Sequence, residues 1–370
     1  MQQVTDLHRK AMDLASEAQL ERIHGHPGRA HDLICEAFQH EREAACLVKD
    51  QVELEPTRSV LYRSAGSLAL ECSDFREAER LIASGLAGNP PEEIAEELRE
   101  LLEQVSFERH LSLRGMILRP DEFQFSMSGS AIGSGFAQSD EFTGRAQNLQ
   151  KLVYRTAARV MKLPYREHGP ADGKVRREIE VYLSVPRAAC FAVSFRLGEL
   201  EQLKLSGFSL GKDVIDEVFD CLDLLNTSSH RALRERIPEQ AYYTNFVGLA
   251  HSIRPDGSKV KFVGLTAFRQ EKERRIVLSD QREPAEEIGP HDETTQGQTV
   301  EIKGILLVAD AHRESKQYIM VVDADQRQHR VRVPTGMMGD IVRPLFEYEV
   351  VVRGKQAGKY LLLEDIRKAE

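Results

Sequence analysis

Four groupings of side chains in this sequence have types and spacings that suit chemistry. Ser209 lies in a Gly-x-Ser-x-Gly run, GFSLG, at 207 to 211. A serine nucleophile needs that spacing on a sharp turn between a strand and a helix, with backbone amides forming an oxyanion hole. A helical pattern does follow Ser209, but the preceding Leu203-Lys204-Leu205 is short and charged for the central strand of a hydrolase sheet. His230, His251 and His291 could each be asked to act as the base, and nothing singles one out. Ser209 therefore reads first as a residue capping a helix. The glycine-rich run SGSAIGSG at 128 to 135 has the small residues that let backbone amides approach a phosphate ahead of a helix. Yet Phe123, Phe125 and Met127 before it alternate with polar residues, whereas a buried parallel strand would be continuously apolar. A hairpin with glycine turns is the expectation. His24 and His26 flank a turn, and His31 and Cys35 share a helical face, but neither set supplies the four ligands of structural zinc. No metal and no cofactor is expected. Near the C-terminus, Arg330 and Arg332 fall on one side of a strand, with Lys316 and Tyr318 on or beside the strand before it. Basic and aromatic side chains so placed can track a single nucleic-acid strand and stack its bases. Asp323, Asp325, Glu347 and Glu349 interleave with them, so a solvated mixed-charge face competes with that reading.

Composition narrows the classes. The chain has 370 residues, enough for two or three domains, and is 41% hydrophobic and 29% charged. A net charge of −9 argues against a protein that coats nucleic acid generally, without excluding a local basic face. There is no Trp, and aromatics are 6% of residues, which leaves few stacking platforms. The five Cys (Cys35, Cys46, Cys72, Cys190, Cys221) form no CxxC pair and read as reduced thiols. The opening MQQVTDLHRK lacks the apolar stretch of a signal peptide, and no apolar run reaches the ~18 residues a membrane span needs. A cytoplasmic protein without a membrane partner is expected.

Helical spacing dominates the first hundred residues. Val4, Leu7, Ala11, Leu14, Ala15 and Ala18 form one stripe, and Ala30, Ile34, Ala37, Phe38, Ala45 and Val48 a second, with a break at His24-Gly25-His26-Pro27-Gly28. From Tyr62 to Pro90 small residues sit where two helices must touch: Gly66 and Ala69 on the first, Ala78 and Gly85 on the second, with Phe75 at the turn. This unit resembles a tetratricopeptide repeat, a helix–turn–helix of about 34 residues. The earlier pair matches it at Leu14, Ala18, Ala30, Ile34 and Ala37, with an offset that implies an extended second helix. Residues 91 to 106, with Ile94, Leu98, Leu101, Leu102 and Val105 inward, form an end helix that closes the array. The resemblance implies a groove for another polypeptide and points Arg63, Ser67, Leu70 and Glu71 into it. Permanent docking of the helical pair on the rest of the protein, or a dimer, is the competing reading.

From about residue 111 the period changes. Strands are expected near 122 to 127, 188 to 198, 260 to 262 and 276 to 278, with helices over 139 to 162, 211 to 226, 228 to 236 and 238 to 253. Residues 175 to 184 suit a strand or a short helix equally. Residues 281 to 298 are acidic and broken by proline and glycine, as a linker is. Beyond residue 299 come five strands, with a short helix or turn between the third and fourth. That order resembles the oligonucleotide/oligosaccharide-binding barrel, with an SH3-like barrel as its near competitor.

The expected fold is therefore a multidomain α+β chain: a helical module over 1–110, an α+β domain with antiparallel strands over 111–280, a linker over 281–298 and a small β-barrel over 299–370. The expected function is that of a non-enzymatic adaptor or regulatory protein that docks a protein partner through its helical repeats. Nucleic-acid binding through the barrel is the alternative and a serine hydrolase using Ser209 a distant one; homo-oligomerisation stays open.

Overall fold

A computed structural model describes residues 1–111, 118–133, 136–167, 172–184, 191–198, 210–269, 272–279, 299–311, 317–357 and 360–369. Ser209, Lys316 and the stretch 281–298 lie outside the described residues. The chain divides into two compact units, Met1–Ser112 and Leu113–Glu370. The helices of the first precede all the strands, which lie in the second.

The first unit is five helices: α1 (Gln2–Ile23), α2 (Pro27–Leu47), α3 (Thr57–Glu71), α4 (Phe75–Leu86) and α5 (Glu92–Leu111). Proline at the first position of α2 costs nothing there, because its missing N–H would have no helical partner. Asp74 caps α4 by accepting from the Glu77 backbone N–H at 3.2 Å. With 21 residues against 12 in α4, α2 is the extended second helix that the offset implied. Ala30, Ala37, Ala65, Ala69 and Ala78 are buried along the seams. Close approach is sharpest at two glycines. A Cβ at Gly66 would lie 2.7 Å from Ile82 Cγ1, and one at Gly85 would lie 3.0 Å from both Tyr62 Cβ and Leu98 Cδ1. Helices α3, α4 and α5 thus pack at a spacing that only the missing side chains permit. Arg58, almost fully buried, donates to the carbonyls of Lys49 (3.2 Å) and Ser84 (2.9 Å), tying the end of the first hairpin to the second.

The second unit holds a five-stranded antiparallel sheet and a ring of five strands. Sheet strands are β1 (Glu122–Ser128), β4 (Val181–Leu183), β5 (Phe191–Leu197), β6 (Phe262–Arg269) and β7 (Lys272–Leu278), in the order β4-β5-β1-β6-β7. The stretch 175 to 184 supplies both structures that its pattern allowed, α7 (Gly173–Glu178) and then β4. Within the glycine-rich run β2 (Ile132–Gly133) pairs antiparallel with β3 (Phe136–Ala137), just after the run and before α6. Period-two alternation decides which side chains enter the core. Phe125 is flanked in register by Val193 and Leu265, and Phe123 stacks on Phe195 with centroids 5.1 Å apart. Against this face lie α6 (Ser139–Val160), α8 (Leu210–Asn226) and α10 (Gln240–Ile253), with α9 (His230–Arg236) beside α8. Nearly every residue of α10 is buried, as expected of a helix covered on all sides.

The ring comprises β8 (Thr299–Asp310), β9 (Tyr318–Val322), β10 (Gln328–Arg332), β11 (Glu349–Ala357) and β12 (Tyr360–Lys368). Pairing runs β8-β9-β10-β12-β11 and back to β8, antiparallel throughout except for β10 with β12. Two short helical turns, Met338–Val342 and Arg343–Leu345, separate the third strand from the fourth. They pack against α10, where Gly248 leaves room for Ile341. Ring and sheet consequently share one continuous apolar core.

Candidate functional site

On the helical unit, charges bridge neighbouring helices. Arg22 on α1 reaches Glu71 on α3 at 2.6 Å, and Arg63 on α3 pairs with Glu97 on α5. All four side chains are more than a third exposed. Ser67 is half-buried, while Leu70 belongs to the core of the unit and not to an open groove. Of the four residues that the repeat resemblance pointed into a groove, the structure thus leaves Arg63, Ser67 and Glu71 accessible and brings two of them into ion pairs. Beneath them, His8 Nδ1 lies 3.0 Å from both carboxylate oxygens of the fully buried Glu41. Burial pushes the Glu41 carboxyl above its usual range, while the hydrogen bond and charge of His8 and the charge of Arg63 oppose that rise.

On the ring, β9 and β10 bring Tyr318, Arg330 and Arg332 together. Their register sets Tyr318 opposite Arg332 and Met320 opposite Arg330. Arg330 lies over the Tyr318 ring, 3.9 Å from its centroid. Ile319, Val321 and Val331, one residue out of phase, are fully buried, so the basic and aromatic side chains face outward. Two of the acids that interleave in sequence are engaged away from this cluster. Asp323 accepts from the backbone N–H groups of Asp325 and Arg327, both at 2.9 Å, and lies 2.7 Å from His329 Nε2. The hydrogen bonds from His329 and Arg327 hold its carboxyl below the usual range. It builds the β9–β10 turn. Glu349 lies on β11, 3.9 Å from Lys303 of β8.

A third grouping escaped the sequence reading. Arg155 of α6 donates to Asp340 Oδ2 at 2.7 Å, Asn245 of α10 donates to the same oxygen at 3.1 Å, and Lys151 donates to the Asp340 carbonyl at 3.0 Å. Four residues earlier, the Gly336 N–H donates to both Glu167 oxygens, and its carbonyl accepts from Asn245 (2.8 Å) and Tyr165 (3.1 Å). Gly336 has φ +98° and abuts the Ala241 carbonyl, so only glycine fits. Burial pushes the Tyr165 hydroxyl up, which keeps it a neutral donor, and pushes the Lys151 ammonium down. This seam fastens the ring's helical turns to α6 and α10. Asn245 was its one local signal: a carboxamide amid Tyr242, Phe246 and Leu249 needs buried partners.

A cleft of about 660 Å³ lies in the second unit, lined by Asp140, Arg145, Asn148, His251, Arg367 and Lys368 among others. Arg145 already holds Glu141 (2.6 Å) and Asp256 (2.7 Å), so its charge is compensated. No group of three His, Cys, Asp or Glu among the described residues is arranged to hold a metal ion. No helix among them is long and apolar enough to cross a membrane. Comparison of the chain with protein-family models, with curated proteins and with solved structures finds no match.

Proposed function

We propose that this protein is a non-enzymatic, cytoplasmic adaptor whose helical unit docks a protein partner across α1, α3 and α5. The observation that carries the reading is the pair of exposed bridges Arg22–Glu71 and Arg63–Glu97, which set alternating charges along neighbouring helices. Such pairs contribute little to stability, so a partner's own charges can exchange with them at small cost. The tight α3–α4–α5 packing supports a rigid platform, which lowers the ordering cost of binding. To test it, partners of the full-length chain would be cross-linked and the contacts mapped. The reading requires contacts on α1, α3 and α5 and their loss with Arg63→Glu; a partner held equally well by Arg63→Glu, or contacts mapping elsewhere, would sink it.

A second reading has its own support. The strand order of the ring, the parallel pairing of its third and fifth strands and the helical turns before its fourth suit an oligonucleotide/oligosaccharide-binding barrel. On its second and third strands Tyr318, Arg330 and Arg332 make an outward basic and aromatic patch of the kind that binds single strands. Binding of a fluorescent single-stranded oligonucleotide by the full chain should weaken with salt. Arg330→Glu/Arg332→Glu should lower the log–log salt slope by about one per lost phosphate contact. Salt-insensitive binding, or none, removes this reading.

A further inference from the structure

In the second unit the cleft of about 660 Å³ has α6 on one side and strands of the ring on the other. Its size falls in the range of small-molecule sites and is far more than a bare ion fills. Asp140, Glu141, Gly144, Arg145 and Asn148 form the α6 wall, at the spacing that puts residues on one face of a helix. A Cβ at Gly144 would meet nothing within 4 Å. Glycine is a poor residue for a helix interior, and no neighbour requires one here. What the missing side chain provides is room in the cleft.

The ring wall is cationic. Register sets Lys303 of β8 opposite Val351 of β11, and Val351 opposite Arg367 of β12. Residues directly opposite one another share a side of the sheet, so the two cations flank Val351, with backbones roughly 10 Å apart across two strand spacings. Val350 and Val352, one step out of phase, are fully buried, which turns Lys303 and Arg367 outward. Both are exposed. Arg367 has no ion pair among the described residues, and Lys303 is 3.9 Å from Glu349 with both side chains more than half exposed. The acids of the cleft are largely matched already. Arg145 holds Glu141 and Asp256, Arg155 holds Asp340, and Asp365 stands opposite Arg353. The ring wall therefore carries positive charge in excess.

We propose that this cleft binds a small phosphate monoester with a hydroxylated body, of the sugar phosphate or nucleotide class. Such a phosphate carries close to two negative charges at neutral pH, so two cations suit it where one would serve a carboxylate. The Arg367 guanidinium presents paired N–H donors that match two phosphate oxygens, and Lys303 adds a second charge on a flexible stem. Across the cleft, Asn148 accepts from Lys151 at 3.2 Å and keeps its amide hydrogens for a ligand hydroxyl, while the exposed Asp140 carboxylate accepts from another. Val351 and Leu345 give the body apolar contact between the two walls. Tyr318, Arg330 and Arg332 do not line the cleft, so this site is separate from the patch on β9 and β10.

The test is calorimetric titration of the full-length protein with ribose 5-phosphate and adenosine monophosphate, and with ribose, adenosine and inorganic phosphate as controls. At least one of the two esters should bind saturably and more tightly than its dephosphorylated form and than inorganic phosphate. Lys303→Glu/Arg367→Glu should weaken that binding by about tenfold or more. Gly144→Leu should fill the cleft and abolish binding while leaving Tm unchanged or raised, since leucine is the better helix former and its Cβ meets nothing. The surface pair of variants keeps the test decisive even where Gly144→Leu folds poorly. Arg330→Glu/Arg332→Glu should leave ester binding as it is. No saturable binding of either ester, equal binding of the dephosphorylated forms or of inorganic phosphate, or binding untouched by Lys303→Glu/Arg367→Glu would overturn the proposal. So would binding that survives Gly144→Leu, or that Arg330→Glu/Arg332→Glu removes.

Discussion

The Arg155–Asp340 and Arg63–Glu97 pairs join the same two chemical groups in opposite settings. The first has side chains only 11% and 14% exposed, and Asp340 has Asn245 and Lys151 as further partners. The second is 37% and 48% exposed, and water competes for each of its hydrogen bonds. In the seam, fixed protein donors stand around Asp340 Oδ2 where water would otherwise be, so the pair specifies which surfaces join. On the helical face, the same chemistry fixes little and leaves charge free to meet a partner. Burial, not residue type, separates a structural ion pair from one suited to recognition.

The sharpest way to break this contrast is to remove one member of the buried pair. Asp340→Ala leaves the Arg155 charge without its carboxylate and one Asn245 N–H without its acceptor, and should cost about 3–5 kcal/mol in denaturant unfolding. An apolar pair of similar volume, Arg155→Met with Asp340→Leu, should recover much of that loss. A single Asp340→Ala loss below about 1 kcal/mol would mean that the seam is no more than a solvated contact. Next in size is Gly66→Ala. The new methyl would meet Ile82 Cγ1, and α3 and α4 must part or Ile82 must turn, at about 1–3 kcal/mol. Gly28→Ala, where nothing lies within 4 Å, is the matched control and should leave unit 1 as stable or slightly more so.

A carboxylate of intermediate exposure tests the pH side of the same argument. Glu217 lies 2.7 Å from both Arg159 and Arg236. Burial alone would raise its carboxyl, but the hydrogen bonds from the two arginines prevail and hold it at about 2. A depressed value means that the stabilisation is fully present above the unfolded range near 4.5 and is lost as pH falls from there through 2. After allowance for solvent screening, this amounts to roughly 1–2 kcal/mol. Glu217→Gln should flatten the stability profile between those limits, and an unchanged profile would assign the acid sensitivity to other groups.

Local pattern made most of the fold legible. The 3.6-residue spacing of Ala30, Ile34 and Ala37, and the two-residue spacing of Phe123, Phe125 and Met127, are read directly in helices and strands whose buried faces they are. Gly66 and Gly85 announced close helix packing because nothing else explains a glycine within a helix that must bury its face. Tyr318, Arg330 and Arg332 could be placed together because alternation assigns each to one side of its strand. Pattern could not supply partners distant in sequence. Asp340 lies in a short turn, 185 residues from Arg155, and no spacing rule joins them. Leu70 looked available because a helical wheel shows which face a residue occupies but not how far the neighbouring helices wrap round it.

The smallest expected effect bears most directly on the comparison. A double-mutant cycle on Arg63→Ala and Glu97→Ala should give a coupling energy of about 0.2–1 kcal/mol, with each single variant within about 0.5 kcal/mol of the parent stability. High salt should shrink that coupling further, since both groups sit in water. The matching cycle on Arg155 and Asp340 should exceed it several-fold and respond weakly to salt, because Asn245 and Lys151 screen that pair with fixed groups instead of mobile ions. Equal couplings at the two sites would show that the exposed bridge is itself part of the scaffold. The helical face would then have no spare charge to offer, and docking across α1, α3 and α5 would lose its physical basis.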